Sequence, residues 1–140
     1  CIQAGINPDL PLFYLPWQAP LVASFLIGAL YPLTQVYQHE QDRRDGVTTL
    51  SMLLGIRGSF LFTAALFLVA SQLLFWFLSE LQLQELFLRF MVCNLPVLVF
   101  FLGWAWKVWQ DPDKANHHFA MRMNLISALF MNISFLFMLL

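Results

Sequence analysis

The sequence predicts an all-α, polytopic transmembrane helical bundle of four spans, and three observations carry that prediction. The 140 residues are 60% hydrophobic and 11% charged, against roughly 45–50% apolar and 25% charged in an ordinary soluble domain. A short chain keeps much of its surface exposed, so this many large apolar side chains need lipid rather than water around them. The charged residues also fall in clusters, and the apolar runs between clusters have the length of a membrane crossing.

The first such run, Leu10 to Gln38, holds no Asp, Glu, Lys or Arg. A span over 16–40 is expected, opening at Leu15-Pro16-Trp17 with an N-terminal proline and an interfacial aromatic. Gly58 to Ser79 predicts a second span over 58–79. Phe90 to Trp106 predicts a third over 89–108, and Met123 to Leu140 a fourth over 121–140. Each run is close to the roughly 20 residues that cross the hydrocarbon core. Gln110 to Asn116 is a turn-rich connector between the last two spans. With no repeat, low-complexity tract or interdomain linker, 1–140 is read as a single transmembrane domain. Because the chain opens Cys-Ile-Gln, with neither a methionine nor the basic n-region of a signal peptide, it is read as part of a larger one.

Charge narrows the function classes. Lys+Arg of 7 against Asp+Glu of 8 leaves a net charge of −1, so there is no basic surface for nucleic acid to neutralise. Cys1 and Cys93 stand far apart with no CxxC, which supports neither a disulfide framework nor a zinc site. Basic residues favour cytoplasmic loops. Arg43, Arg44 and Arg57 flank the first loop and Lys107, Lys114 and Arg122 the third, whereas the second has only Arg89 beside Glu80 and Glu85. Loops one and three are therefore expected on the cytoplasmic side of a membrane, here taken as a bacterial cell membrane. Trp17, Trp76, Trp104, Trp106 and Trp109 lie near the span ends, as an aromatic belt requires.

The end of the first span turns polar. If the helix runs on to about Arg44, then Tyr31, Gln35, Gln38, Asp42 and Asp45 recur at steps of four and three and share a face. Polar groups at such depth are costly unless they meet partners or line a watery cavity. Asp42 and Asp45 offer hard oxygen ligands on neighbouring turns, a sparse donor set that suits Mg²⁺ shared with substrate phosphates. Arg43 and Arg44 lie among them as candidate diphosphate clamps. Arg122, at the start of the fourth span, is a third candidate. The competing reading is a hydrated helix end whose charges compensate one another.

Other polar positions have structural explanations. Thr48, Thr49 and Ser51 follow Gly46 and are expected to cap the second helix. Gly55 and Gly58 are read as allowing close helix approach or a break where the chain meets the membrane. His39 is expected to be a neutral interfacial histidine, and the adjacent His117 and His118 are given no role. Asn94 is expected to bond across helices, with Pro96 kinking the third span.

The stretch Gln38-His-Glu-Gln-Asp42-Arg-Arg-Asp-Gly46-Val-Thr-Thr49-Leu50-Ser-Met-Leu-Leu-Gly55 resembles the second aspartate-rich motif of the UbiA-type intramembrane prenyltransferases. That motif runs DxxxD, then xxxG, xxTL and a glycine a few residues on; Asp42, Gly46, Thr49, Leu50 and Gly55 match in order and spacing. Four spans with the motif between the first two also resemble the last four helices of that family's nine-helix fold.

The resemblance implies a Mg²⁺-dependent transferase that moves a polyprenyl group from its diphosphate to an aromatic or lipid acceptor, as in quinone biosynthesis. It places Asp42 on the metal. Gln38 stands where the motif has its first aspartate and is expected to hold a water or a phosphate oxygen, while Asp45 is a candidate for the missing charge. No residue is assigned as catalytic. The family's first motif, NDxxDxxxD, does not occur in these 140 residues, so an N-terminal half of the same protein is an expected partner and the isolated fragment is expected to be inactive. The rival reading is a non-enzymatic transport or assembly subunit whose polar stripe lines a pathway.

Overall fold

The computed structural model describes residues 17–139, with side chains through 137; the expected span start at Pro16, and Cys1, lie outside them. The described residues form helices and turns with no strand among them. The first span is α1 (Gln18–Gln35), a 3₁₀ turn (Val36–Gln38) and α2 (His39–Arg44). Then come α3 (Leu50–Glu80), α4 (Gln84–Gln110), a second 3₁₀ turn (Pro112–Lys114) and α5 (His117–Leu139). All four spans are long and apolar enough to cross a membrane. Ile27, Leu53, Leu68, Val99, Leu125 and Leu136 lie exposed around the outside, where lipid would cover them.

Helix boundaries differ from the charge-based reading in one instructive place. The second helix opens at Leu50, at the position its expected caps indicate and ahead of the charge-free run that begins at Gly58, and carries Arg57 inside it. It is broken at Gly55, whose φ of 70° and ψ of 170° belong to a region open essentially to glycine alone. A Cβ at Gly55 would meet nothing within 4 Å, so backbone conformation rather than space requires the glycine. The break strands carbonyls of the preceding turn. Ser59 Oγ, fully buried, donates its one proton to the Gly55 carbonyl (2.9 Å), with the Ser51 carbonyl a weaker second acceptor at 3.4 Å. The expected break thus falls at Gly55.

Two turns close the helices by the same device. At Gly46 (φ 71°) the Val47 N–H donates to the Asp42 carbonyl (2.9 Å) and the Gly46 N–H to the Arg43 carbonyl (3.4 Å), the paired bonds of a Schellman motif. After α3, the Leu83 N–H reaches the Leu78 carbonyl (2.8 Å) and the Gln82 N–H the Ser79 carbonyl (3.1 Å). There the left-handed residue is Gln82, at φ 57°.

α1 packs along α3 and α4 along α5, and the two pairs meet through α3 with α4 and, more lightly, α1 with α5. Trp104, 1% exposed, centres the core near loops one and three, edge-on to Phe60 at 4.8 Å and stacked on Phe119 at 6.2 Å. Its Nε1 donates to the Lys114 carbonyl (3.0 Å) and fixes the third loop. A second cluster of Val22, Leu26, Ala70 and Phe90 fills the other end.

Polar side chains tie the spans together in between. Pro32 has no N–H, so the Gly28 carbonyl has no in-helix donor; on the next carbonyl, that of Ala29, Thr63 Oγ1 donates across from α3 (2.7 Å). Asn94 Nδ2 donates to Ser134 Oγ (2.7 Å) on α5, the cross-helix bond expected of it.

Candidate functional site

Loops one and three meet at one end of the bundle. His39 Nε2 and Ser51 Oγ share a hydrogen bond of 2.7 Å, joining α2 to the start of α3. The Tyr37 ring stands edge-on to His117 at 4.9 Å, joining the first span to the start of α5. Arg57 Nη2 donates to the last-turn carbonyl of Trp109 (2.9 Å) and its guanidinium lies 5.4 Å from the Trp109 ring centre, which neutralises the carbonyl-rich end of α4. At the opposite end, Gln18 Nε2 donates to Glu80 Oε2 (3.2 Å) and Trp17 meets Trp76 edge-on at 5.9 Å.

The predicted stripe enters this mouth but does not stay on one face. Tyr31 is exposed, Gln35, Gln38 and Asp42 are half-buried, and Asp45 is exposed again. The shared face holds over Gln35, Gln38 and Asp42, across the 3₁₀ turn at Val36–Gln38, and ends where α2 does, at the Asp45 C-cap. Two stripe oxygens are buried with no hydrogen-bond partner, Asp42 Oδ2 and Gln35 Oε1. A buried polar atom left unpaired costs about 1–3 kcal/mol, more for a charged group, so each is a position waiting for a donor or a cation.

The other predicted residues are spread around the Asp42 turn. Gln38 Nε2 donates to the Tyr37 hydroxyl (3.1 Å). Arg43 is exposed, Arg44 pairs with Glu40 one turn before it, and Asp45 forms the exposed C-cap of α2. Arg122 is exposed on α5. No group of three or more His, Cys, Asp or Glu among the described residues could hold an ion alone. The donor set present, one buried carboxylate oxygen with a second carboxylate three residues on, fits Mg²⁺ only as an ion that keeps waters and arrives with substrate phosphates.

Three features of this mouth escape the sequence reading. Thr49 is the N-cap of α3 but makes no side-chain cap bond; its Oγ1 faces Ser51 Oγ at 3.3 Å instead. The expected capping role is therefore replaced by a hydroxyl pair under His39. His117, given no role, is the ring against which Tyr37 packs. Gln35 was placed in the stripe without a ligand role, and its unpaired oxygen is visible only once burial is known.

Below the mouth lies a cavity of about 220 Å³ between the two helix pairs. Its wall is apolar except for Thr63, Asn94 and Ser127. A groove of about 240 Å³ between α1 and α5 shares Leu26, Leu30, Ser127 and Met131 with it. Leu30 precedes Gln35 by five residues, about 7.5 Å of helix, so the cavity begins a short way beneath the stripe.

No known protein family, curated protein or solved structure matches this chain.

Proposed function

We propose that this chain is the C-terminal part of an integral-membrane prenyltransferase, which moves a polyprenyl group from its diphosphate to an aromatic or lipid acceptor. The observation that carries the reading is the buried, unpartnered Asp42 Oδ2, at the motif position where the resemblance puts a metal ligand. The reading places loops one and three on the cytoplasmic side, where their basic residues belong.

Asp42 would hold Mg²⁺, whose chemistry is to neutralise the diphosphate and ease its departure. The backbone around Asp42 is fixed by the Schellman turn at Gly46 and by the His39 to Ser51 bond, so its carboxylate is presented without first having to be ordered. Arg43, which makes no ion pair among the described residues, is free to turn toward an anion. Arg44 must first leave Glu40, a weak exposed pair. Gln38, with its amide nitrogen committed to Tyr37, offers its carbonyl oxygen to a water. The apolar wall beneath the mouth suits an isoprenoid chain and excludes water from the reacting end. That wall also favours this reading over a polar transport pathway, because no Asp, Glu, Lys or Arg lines it.

The test is prenyl transfer by the full-length protein in lipid, comparing Asp42→Asn with Asp45→Asn. The first should abolish turnover and the second reduce it several-fold, with both variants inserting normally. Equal turnover of Asp42→Asn and wild type would remove Asp42 from the reaction.

A further inference from the structure

The polar groups in the mid-membrane cavity have an unequal balance of donors and acceptors. Asn94 Nδ2 gives its two protons to the Phe90 carbonyl (2.9 Å) and to Ser134 Oγ (2.7 Å). Ser134 Oγ in turn donates to the Phe130 carbonyl (2.7 Å), so the direction of this chain is set and the amide cannot be reversed. What Asn94 has left is its carbonyl oxygen, to which no described group donates. Thr63 Oγ1 has given its only proton to the Ala29 carbonyl and keeps lone pairs alone. Both side chains line the cavity and are more than nine-tenths buried, at 3% and 4% exposed. Ser127, also 4% exposed, lines it too, and its hydroxyl has no partner. In hydrocarbon, unspent acceptors of this kind are satisfied by a donor or carried at a cost.

We propose that this cavity is a binding site for a small, neutral, mostly apolar molecule bearing a hydroxyl group, which donates to Asn94 Oδ1 or Thr63 Oγ1. A charged ligand has no counter-charge here: no Asp, Glu, Lys or Arg lines the cavity. The volume fits one ring, since an engineered cavity of about 150 Å³ takes up benzene. The α1 and α5 groove that shares its wall offers a way in from the lipid. The hydroxyl can come from a phenol or from the alcohol end of a lipid, and the chemistry at Asn94 is the same for both. Its wall is the one along which the proposed function lays an isoprenoid chain, so the two ligands exclude each other there, but the hydroxyl is held by Asn94 and Thr63 and not by Asp42.

The experiment is photolabelling of the full-length protein in lipid nanodiscs with a diazirine-bearing phenol, mapped by peptide mass spectrometry. Labels should concentrate at cavity positions such as Leu98, Phe101 and Met123, and phenol should compete at least tenfold better than its methyl ether, anisole. Competition by 1-octanol equal to that by phenol would assign the site to alcohols in general; failure of 1-octanol would assign it to phenols. Thr63→Val should lower labelling several-fold. Ala64→Phe should fill the cavity and abolish labelling while leaving the Asn94 network intact, which keeps the test valid if an Asn94 variant does not fold. Asp42→Asn should leave labelling unchanged, with or without Mg²⁺. The proposal is overturned if anisole competes as well as phenol, if labels spread over lipid-facing positions such as Val99 and Leu125, or if Ala64→Phe labels like wild type.

Discussion

The turn after α2 and the turn after α3 make the same pair of closing hydrogen bonds, yet they are built to different standards. Leu81–Leu83 reverses the chain in three residues, with a glutamine in the left-handed position whose side chain bonds, among the described residues, only to the Ser79 carbonyl just before it. The Gly46 turn adds a second left-handed glycine at 55, a 3₁₀ turn ahead of it, a histidine to serine bond to the next helix, and a buried carboxylate oxygen with no partner. Reversing direction requires none of these additions. What exceeds the needs of a turn is where function is to be sought, and here the excess surrounds Asp42.

The largest effect expected at that mouth is functional. Asp42→Asn should lower prenyl transfer by on the order of 100-fold or more, as when a group aimed at developing charge is removed. The same change should leave stability equal or raise it by about 1 kcal/mol, because it removes the charge from a half-buried carboxylate whose Oδ2 has no partner. Clear destabilisation in a thermal-unfolding assay would show that Asp42 is structural and would erase the contrast between the two turns.

Gly55→Ala comes next. Forcing a Cβ into φ 70°, ψ 170° should cost about 2 kcal/mol, and protease sensitivity should rise around Ser51. If the variant unfolds like wild type, the break at Gly55 is not a fixed feature of the mouth. Asn94→Leu should cost about 1 kcal/mol, within the range measured for hydrogen bonds between membrane helices. Its effect on unfolding should be far from the mouth and should not alter Mg²⁺ response.

The smallest effect belongs to the plain turn. Gln82→Gly relieves a left-handed non-glycine, a strain of roughly 1 kcal/mol, offset in part by the greater freedom of glycine in the unfolded chain. A net gain of about 0.5 kcal/mol is expected, with transfer unchanged. A loss of activity there would mean that both turns matter, and the comparison would fail.

The four spans could be read from charge spacing because lipid forbids unpaired charge over the width of its hydrocarbon. The same rule does not mark where the second helix begins, since Arg57 satisfies itself on the Trp109 carbonyl and ring and so can sit inside the helix ahead of the charge-free run. The shared side of loops one and three was legible in their basic residues, and the Asn94 bond in the isolation of an amide among apolar neighbours. The stripe was legible only in part. Periodicity assigns a face but not its burial, and only Gln35, Gln38 and Asp42 are half-buried, whereas Tyr31 on α1 and the C-cap Asp45 are exposed. His117 had no signal at all, because its contact with Tyr37 joins the two ends of the bundle's sequence and no local pattern records it.

The central claim is that Asp42 belongs to a site for Mg²⁺ and a diphosphate, and its most direct test is the binding of a radiolabelled prenyl diphosphate to the full-length protein in detergent, with and without Mg²⁺. The account predicts binding that requires Mg²⁺ and disappears in Asp42→Asn. A folded protein that binds no prenyl diphosphate, or binds it equally well without Mg²⁺ and in the variant, would contradict it.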